Sequence, residues 1–387
     1  MIRTLVAYTT EIDDEQFAIE QIKSQLELDD SLLSNSIGII ACHYEFVTSG
    51  IAQAIGEALP FDVVGTISSS QSVGGCADTL MLSIMVITSD DVEFVKVVTP
   101  SLMNESSKVI AESYKQTEER SVKKPAMILA FAPFMLQNSG DDYVSVITEA
   151  SGGVPCFGTL AVDDTDDFSN CFTLCNGEYY PDRMAMVLAY GNLAPRFYIA
   201  NISPEKILGK GAVVTKSDGH VIIEVNGRPV KDFFENLGLT KASETQYAMT
   251  NLPFLLDYND GTPQVSKVFI SLTSEGYALC AGAVPEGSAL YLAKNDKDDI
   301  LLTTKQAVDK MLRDIEGASG LLVYSCVSRS MALGLDQYGE MKLIDDKVSE
   351  RLPFLMASSG GEICPTRVSK DKAINRFHNN AFIACLF

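Results

Sequence analysis

Short apolar runs separated by polar turns dominate the last third of the chain. Three of them lie within residues 320–329, 353–365 and 377–387. Runs of this length, bounded by small and polar residues, are typical of buried β-strands. The sequence therefore predicts three buried strands that carry polar chemistry at their ends. The residues at these ends are Cys326 and Arg329 after the first strand, Glu362 after the second, and His378 and Asn379 before the third.

Two earlier parts of the chain repeat this arrangement, with first strands that begin near residues 37 and 126. Each part reads as a strand, a helical segment and two further strands. When Gly65, Gly158 and Met356 are aligned, a polar residue lies six positions further on in every unit. A repeat of this kind indicates one supersecondary unit used several times. The three aligned polar residues are Gln71, Asp164 and Glu362.

The segments between the first two strands of the first two units predict amphipathic helices. Residues 44–59 place apolar side chains at every fourth position, and residues 139–150 do the same, with Ser139 or Asp141 as the N-cap. Strands that alternate with such helices indicate sheets with helices packed against them. The predicted fold class is α/β (α+β), with mixed sheets and packed helices built from repeated strand–helix–strand–strand units.

The charge balance narrows the set of partners. With 30 basic and 51 acidic residues, the formal net charge is −21, and hydrophobic residues make up 46% of the chain. An acidic protein is repelled by nucleic-acid phosphates and by anionic membrane surfaces. The longest apolar run, residues 126–136, is shorter than the roughly 18 residues that a membrane-spanning helix needs. We therefore expect no nucleic-acid partner and no membrane insertion.

The nine cysteines are odd in number and contain no Cys-x-x-Cys motif. Several lie inside apolar runs, where a thiol behaves as a small hydrophobic group. We expect free thiols and a reduced, cytoplasmic location, and the acidic N-terminal segment does not resemble a signal peptide. The three histidines are far apart in the sequence, so no metal site is predicted.

Three motifs near the C-terminus carry a resemblance to a known family. They are Cys326-x-x-Arg329, then Gly361-Glu362-Ile363 followed by Pro365, and finally His378-Asn379. In this order they resemble the C-terminal part of the FIST family, whose members pair a FIST N with a FIST C domain. The resemblance implies a FIST N-like domain over residues 1–195 and a FIST C-like domain over residues 196–387.

The N-terminal part departs from the family pattern at one loop. Residues 64–71 correspond to a family loop that usually reads Gly-Cys-Ser-Thr-x-Gly-Glu, and this chain has Ser70 in place of the glycine and Gln71 in place of the glutamate. The loss of the carboxylate weakens the case for binding an ammonium group there. Ser69, Ser70 and Gln71 remain able to hydrogen-bond a neutral ligand group.

The resemblance implies a sensor that binds a small polar, amino-acid-like metabolite and acts in signal transduction. Because the chain carries no kinase, cyclase or receiver motif, its output is expected to lie in a separate protein. In this hypothesis Arg329 binds a ligand carboxylate through two hydrogen bonds, and Glu362 pairs with the ligand ammonium. Asn379, His378 and Cys326 complete the predicted pocket. The competing interpretation is an ion pair between Arg329 and Glu362 that only stabilises the fold.

Two other classes of function stay open from the sequence. Cys326, His378 and Glu362 would form a thiol, base and acid set if they met in space, which would make the protein an enzyme. A structural assembly module is the third possibility. Phosphate-binding, dinucleotide-binding and zinc-protease motifs are absent from the sequence, so we assign no cofactor and no catalytic residue.

Overall fold

The computed structural model describes residues 1–119, 123–135, 137–165, 168–236, 252–369 and 372–387. Its chain order divides into three units of the same design. Unit 1 places two helices in each of the two connections between its first three strands, and it ends in a hairpin and a long strand. Its elements are β1 (Ile2–Thr9), α1 (Glu15–Leu26), α2 (Leu28–Ser31), β2 (Asn35–Cys42), α3 (Glu45–Thr48), α4 (Ile51–Ala58), β3 (Asp62–Ile67), β4 (Gln71–Val73), β5 (Cys76–Asp78) and β6 (Leu82–Ser89).

Unit 2 follows the same order with one helix in each connection. Its second helix begins at the predicted N-cap, because the Ser139 hydroxyl accepts a hydrogen bond from the Asp141 amide. The elements are β7 (Val92–Val98), α5 (Ser106–Glu118), β8 (Met127–Ala132), α6 (Gly140–Ser151), β9 (Cys156–Leu160), β10 (Thr173–Cys175), β11 (Glu178–Tyr180) and β12 (Ala185–Gly191).

Unit 3 repeats the order again but carries an inserted sheet after its first strand. Its own elements are β13 (Arg196–Ala200), α8 (Lys297–Arg313), β21 (Leu321–Cys326), α9 (Val327–Leu333), α10 (Gly339–Val348), β22 (Phe354–Ser359), β23 (Glu362–Ser369), β24 (Lys372–His378) and β25 (Phe382–Leu386), with short 3₁₀ turns at Pro204–Lys206 and Gly334–Asp336.

The insertion forms a separate antiparallel sheet with its own apolar core. The strands lie in the order β14-β20-β17-β18-β19-β15-β16, and a further pairing joins β14 to β15. The elements are β14 (Ala212–Asp218), β15 (Val221–Val225), β16 (Arg228–Pro229), α7 (Val230–Asn236), β17 (Pro253–Asp257), β18 (Val265–Leu272), β19 (Ala278–Cys280) and β20 (Ala289–Leu292).

The three units exchange their hairpins in a cycle. Within the described residues each unit supplies four strands to one sheet, and the hairpin of another unit completes that sheet. Only the two central strands of each sheet run parallel, so the sheets are mixed, and the predicted α+β class is confirmed. The strand orders are β1-β6-β2-β3-β10-β11, β7-β12-β8-β9-β23-β24 and β13-β25-β21-β22-β4-β5.

Both faces of the central strands are buried. Inward residues of all three sheets, such as Ile39, Leu129 and Leu322, share one central core. Residues of the opposite face pack against the helices of their own unit. This explains why the strands appear in the sequence as continuous apolar runs rather than as alternating ones. Among the described residues, no helix is both long enough and apolar enough to cross a membrane.

The register of the hairpins corrects one part of the predicted repeat. Gln71 and Glu362 each begin the first strand of a hairpin, as the alignment requires. The equivalent residue of unit 2 is Thr173, and Asp164 lies in the loop before it, because that loop is longer in unit 2. The equivalence follows from three pairings onto matching positions of the neighbouring strands, namely Gln71 with Ala357, Glu362 with Thr159, and Thr173 with Thr66.

The expected boundary between residues 195 and 196 coincides with the junction of units 2 and 3, since β13 begins at Arg196. The two parts are nevertheless joined by shared sheets. Strand β4 of unit 1 pairs with β22 of unit 3, and β23 of unit 3 pairs with β9 of unit 2. The polar ends of these strands therefore meet where different units are in contact.

Candidate functional site

Cys326, Glu362 and Asn379 lie in one corner of unit 3. Cys326 is the last residue of β21, Glu362 the first of β23, and Asn379 directly follows β24. The backbone of Ala381 connects two of them. Its carbonyl accepts a hydrogen bond from the Cys326 amide at 3.0 Å, and its amide donates to Glu362 Oε2 at 3.2 Å. The sequence motifs therefore do converge, as the buried-strand interpretation predicts.

The Glu362 carboxyl is completely buried. Burial raises its pKa to about 8, although the Ser359 side chain, the Ala381 amide and the charge of Arg329 favour the ionised form. Oε1 has no hydrogen-bond partner within the described residues. At neutral pH this carboxyl is therefore mainly protonated, and it would become ionised if a cationic group were placed beside it.

The ionisation state of the Cys326 thiol does not favour a nucleophilic role. Burial, together with the nearby Glu362 carboxyl, raises its pKa to about 12, so the thiolate is scarce at neutral pH. The Ser328 hydroxyl lies 3.2 Å from its sulfur. His378 Nε2 lies 3.2 Å from the Thr366 hydroxyl, and burial, with the positive charge of Lys267, lowers the imidazole pKa to about 3. These contacts do not support a thiol, base and acid set.

Asn379 carries an unused amide at the wall of a cavity. The side chain is 1% exposed, and neither Oδ1 nor Nδ2 has a hydrogen-bond partner among the described residues. The cavity measures about 50 Å³, and we call it the Asn379 cavity. Its lining residues come from unit 2, unit 3 and the inserted sheet, and they are Phe134, Val162, Phe168, Val268, Ile270, Ala281, Cys326, Val327, Ser328, Met331, Gly360 and Asn379.

Arg329 departs from the expected role of ligand clamp. Its guanidinium is 1% exposed and pairs with Glu340 of α10, with Nη2 lying 2.8 Å from Oε1. The same nitrogen donates to the Thr304 hydroxyl at 2.8 Å, and Nη1 donates to the Asn380 carbonyl at 3.4 Å. The ion pair with Glu362, which was the competing interpretation, is absent among the described ion pairs. Because its donors are occupied, Arg329 holds α9 against α8 and α10 rather than facing a ligand.

The remaining predicted residues lie elsewhere. Ser70 and Gln71 are buried against unit 3, where the Ser70 hydroxyl lies 2.7 Å from that of Ser358. Gln71 donates to the Ser68 carbonyl at 2.7 Å, and its Oε1 has no partner in the described ranges. Ser69 is partly exposed. His378 lines a second, larger cavity.

Matches to family models show which protein family the chain belongs to. The model described as FIST N domain matches residues 36–228, and that described as FIST C domain matches residues 232–365. The chain belongs to the FIST family. FIST domains are sensory signal-transduction domains. The two models meet within the inserted sheet, whereas units 2 and 3 meet near residue 195.

Similarity to solved structures is weak. Cyanuric acid hydrolase from A. caulinodans is 8% identical, with a TM-score of 0.40, over 100% of this chain and 99% of that chain. A chorismatase is 11% identical, with a TM-score of 0.37, over 100% of this chain and 98% of that chain. Both TM-scores lie below 0.5, so these similarities assign no chemistry to the FIST protein. No curated protein sequence matches the chain significantly.

Two features of this FIST site were not found from its sequence. Glu340, the partner of Arg329, lies on a helix rich in polar residues, and such residues are usually exposed to solvent. In the structure its side chain is 3% exposed and therefore buried. The cavity wall contributed by Phe134, Val268 and Ala281 is remote in sequence from the motifs. In the described ranges, no cluster of three or more His, Cys, Asp or Glu side chains is close enough to hold a metal ion.

The raised pKa of Glu362 predicts a specific pH dependence of stability. Its ordinary value is 4.5 and its folded value is about 8, so the folded state holds this proton more tightly than the unfolded state does. The stabilisation is complete below pH 4.5 and is lost as the pH rises through about 8. Relative to Glu362→Gln, the wild type should lose roughly 2 kcal/mol of unfolding free energy between pH 6 and pH 8.

Urea unfolding of both proteins across this pH range measures the difference. Glutamine keeps an oxygen that accepts from the Ala381 amide but does not titrate. Other titrating groups are present in both proteins and cancel. If the two proteins lose stability in parallel between pH 6 and pH 8, Glu362 titrates at an ordinary value and the account of the buried acid is wrong.

Proposed function

We propose that this FIST protein is an intracellular sensor whose small-molecule ligand occupies the Asn379 cavity and whose signal passes to a separate output protein. The observation that carries the proposal is the unused Asn379 amide. A buried amide without partners costs roughly 1–3 kcal/mol of stability. A ligand that offers one donor and one acceptor would recover that loss, which makes the amide a natural recognition element.

The cavity chemistry favours a small ligand with an apolar body and an amino-acid-like head. Because about 50 Å³ is less than the volume of such a ligand, the cavity walls must move apart when it binds. Its walls are mainly aliphatic and aromatic, and the polar groups that line it come from Cys326, Ser328 and Asn379. A ligand carboxylate would accept from Asn379 Nδ2, while its ammonium would donate to Oδ1. The Glu362 carboxyl interacts with Cys326, and its pKa would fall when an ammonium group approaches.

The position of the cavity supports a sensory role. Ligand contacts would join Val162 of unit 2, Met331 of unit 3 and Ile270 of the inserted sheet. A ligand shifts a conformational equilibrium only through its differential affinity for two states. Contacts that span three parts of the fold provide such a difference, because they favour one relative arrangement that an output protein recognises.

A thermal-shift screen tests the proposal. We expect one or more small amino acids with apolar side chains to raise the melting temperature in a saturable way, since binding to the native state alone stabilises it. Mass spectrometry of the same mixtures should show the ligand unchanged. Chemical conversion of the ligand would favour an enzyme. Failure of every amino acid to stabilise the protein would contradict the amino-acid assignment.

A further inference from the structure

A second cavity, of about 330 Å³, lies between two edge strands of unit 3. One wall is β13, which begins at Arg196, and another is the hairpin of β23 and β24, which carries Arg367. Helix α8 closes a third side with Lys310. We name this the basic cavity, because its described lining contains these three cations and no acidic residue. Such a volume is within the range of small-molecule sites.

The cations of the basic cavity have no carboxylate partner within the described residues. None of Arg196, Lys310 and Arg367 forms an ion pair with a carboxylate of the described residues. The Nε of Arg196 is buried without a partner. In a chain with a net charge of −21, three cations that line one cavity with no acidic residue in its described lining need another explanation.

Neutral groups complete the lining. Thr366 and Asn201 lie beside the cations, and Asn201 Oδ1 has no described partner. The imidazole of His378 is neutral, because burial and the charge of Lys267 lower its pKa, so it adds no charge of its own. Tyr198 directs its hydroxyl to Asp314, at 2.7 Å, which leaves its ring as a wall.

We infer that the basic cavity binds a small dianion, such as a phosphate monoester or a dicarboxylate. Two arginines offer planar forks that bind anionic oxygens through paired hydrogen bonds, and a lysine adds a mobile charge. Three cations around one dianion neutralise it with one positive charge in excess. The site is separate from the Asn379 cavity and does not depend on the proposed function, although consecutive residues, His378 and Asn379, line the two cavities.

Calorimetric titration with inorganic phosphate and with succinate, at ionic strength matched by sodium chloride, tests the inference. We expect saturable binding of at least one of them by the wild type. The double variant Lys310→Ala/Arg367→Ala should bind it at least about tenfold more weakly, because two charge-assisted contacts are removed. Both side chains are exposed, so folding should be preserved.

The double variant Arg228→Ala/Arg313→Ala is the matched control. Like the test variant, it removes two positive charges, but from exposed positions outside the cavity. Arg313 lies on the same helix as Lys310. Its affinity should stay within about twofold of the wild type. Binding of phosphate alone identifies a phosphate-type ligand, and binding of succinate alone identifies a dicarboxylate. If the wild type binds neither anion, or if both double variants bind equally, the inference is overturned.

Discussion

Arg329→Ala is expected to lower the free energy of unfolding by about 3–5 kcal/mol, the range for breaking one side of a buried ion pair. The substitution leaves the Glu340 carboxylate, which is 3% exposed, without its cation. It also removes the donors to the Thr304 hydroxyl and the Asn380 carbonyl. Urea unfolding followed by circular dichroism measures the loss.

The double variant Arg329→Met/Glu340→Leu is the control for this prediction. When both charges are replaced by apolar groups, no buried charge is left unpaired, so most of the lost stability should return. A ligand clamp would behave differently. If Arg329→Ala keeps the stability of the wild type and abolishes ligand binding, the assignment of Arg329 to the fold is wrong.

Asn379→Leu is expected to weaken ligand binding by roughly ten- to a hundredfold while leaving stability unchanged or raising it by about 1 kcal/mol. Affinity falls because two hydrogen bonds to the ligand are lost. Stability does not fall because the amide has no partner among the described residues, so an apolar side chain removes a buried polar group that is not satisfied. Titration calorimetry and urea unfolding give the two quantities.

Asn375→Leu, in strand β24 just before Asn379, provides a matched comparison. This residue is 7% exposed, but its Oδ1 accepts from the Cys156 amide and its Nδ2 donates to the Val154 carbonyl, both at 2.9 Å. Its replacement should therefore destabilise the protein and leave ligand affinity nearly unchanged. If both asparagine variants lose stability equally, the Asn379 amide is part of the fold and not a recognition element.

The repeated unit was accessible from the sequence because buried strands are continuous apolar runs. The alignment on Gly65 and Met356 placed Gln71 and Glu362 correctly at the starts of hairpin strands. It failed at Asp164, since a fixed offset does not detect a longer loop. The spacing of apolar residues predicted one helix over residues 44–59. In the structure Gly50, with φ of 84°, separates α3 from α4.

The site was accessible only in part. Motifs at strand ends indicated Cys326, Glu362 and Asn379, which meet where the end of β21 in one sheet contacts the β23–β24 hairpin of another. The partner of Arg329 was not predictable, since a guanidinium reaches any of several carboxylates and the sequence does not show which one is buried beside it. The ionisation state of Glu362 depends on burial, which emerges only when β23 lies between β24 and β9 of unit 2.

The exchange of hairpins between units could not be predicted from the sequence either. A hairpin such as β4–β5 has the same local pattern whether it pairs with its own unit or with another. Its partner is decided by which sheet edge lies nearby after the units pack. Apolar runs indicate which strands are buried, but they contain little information about which strands pair with each other.

Ligand titration into Ala281→Leu and Ala283→Leu tests directly whether the ligand occupies the Asn379 cavity. Ala281 lines the cavity, whereas Ala283, two residues further on, does not. Both are partly buried, so the two substitutions are similar in their general effect on packing. We expect Ala281→Leu to fill the cavity and to abolish binding of a stabilising amino acid, while Ala283→Leu binds it like the wild type. Unchanged affinity in Ala281→Leu would contradict this expectation.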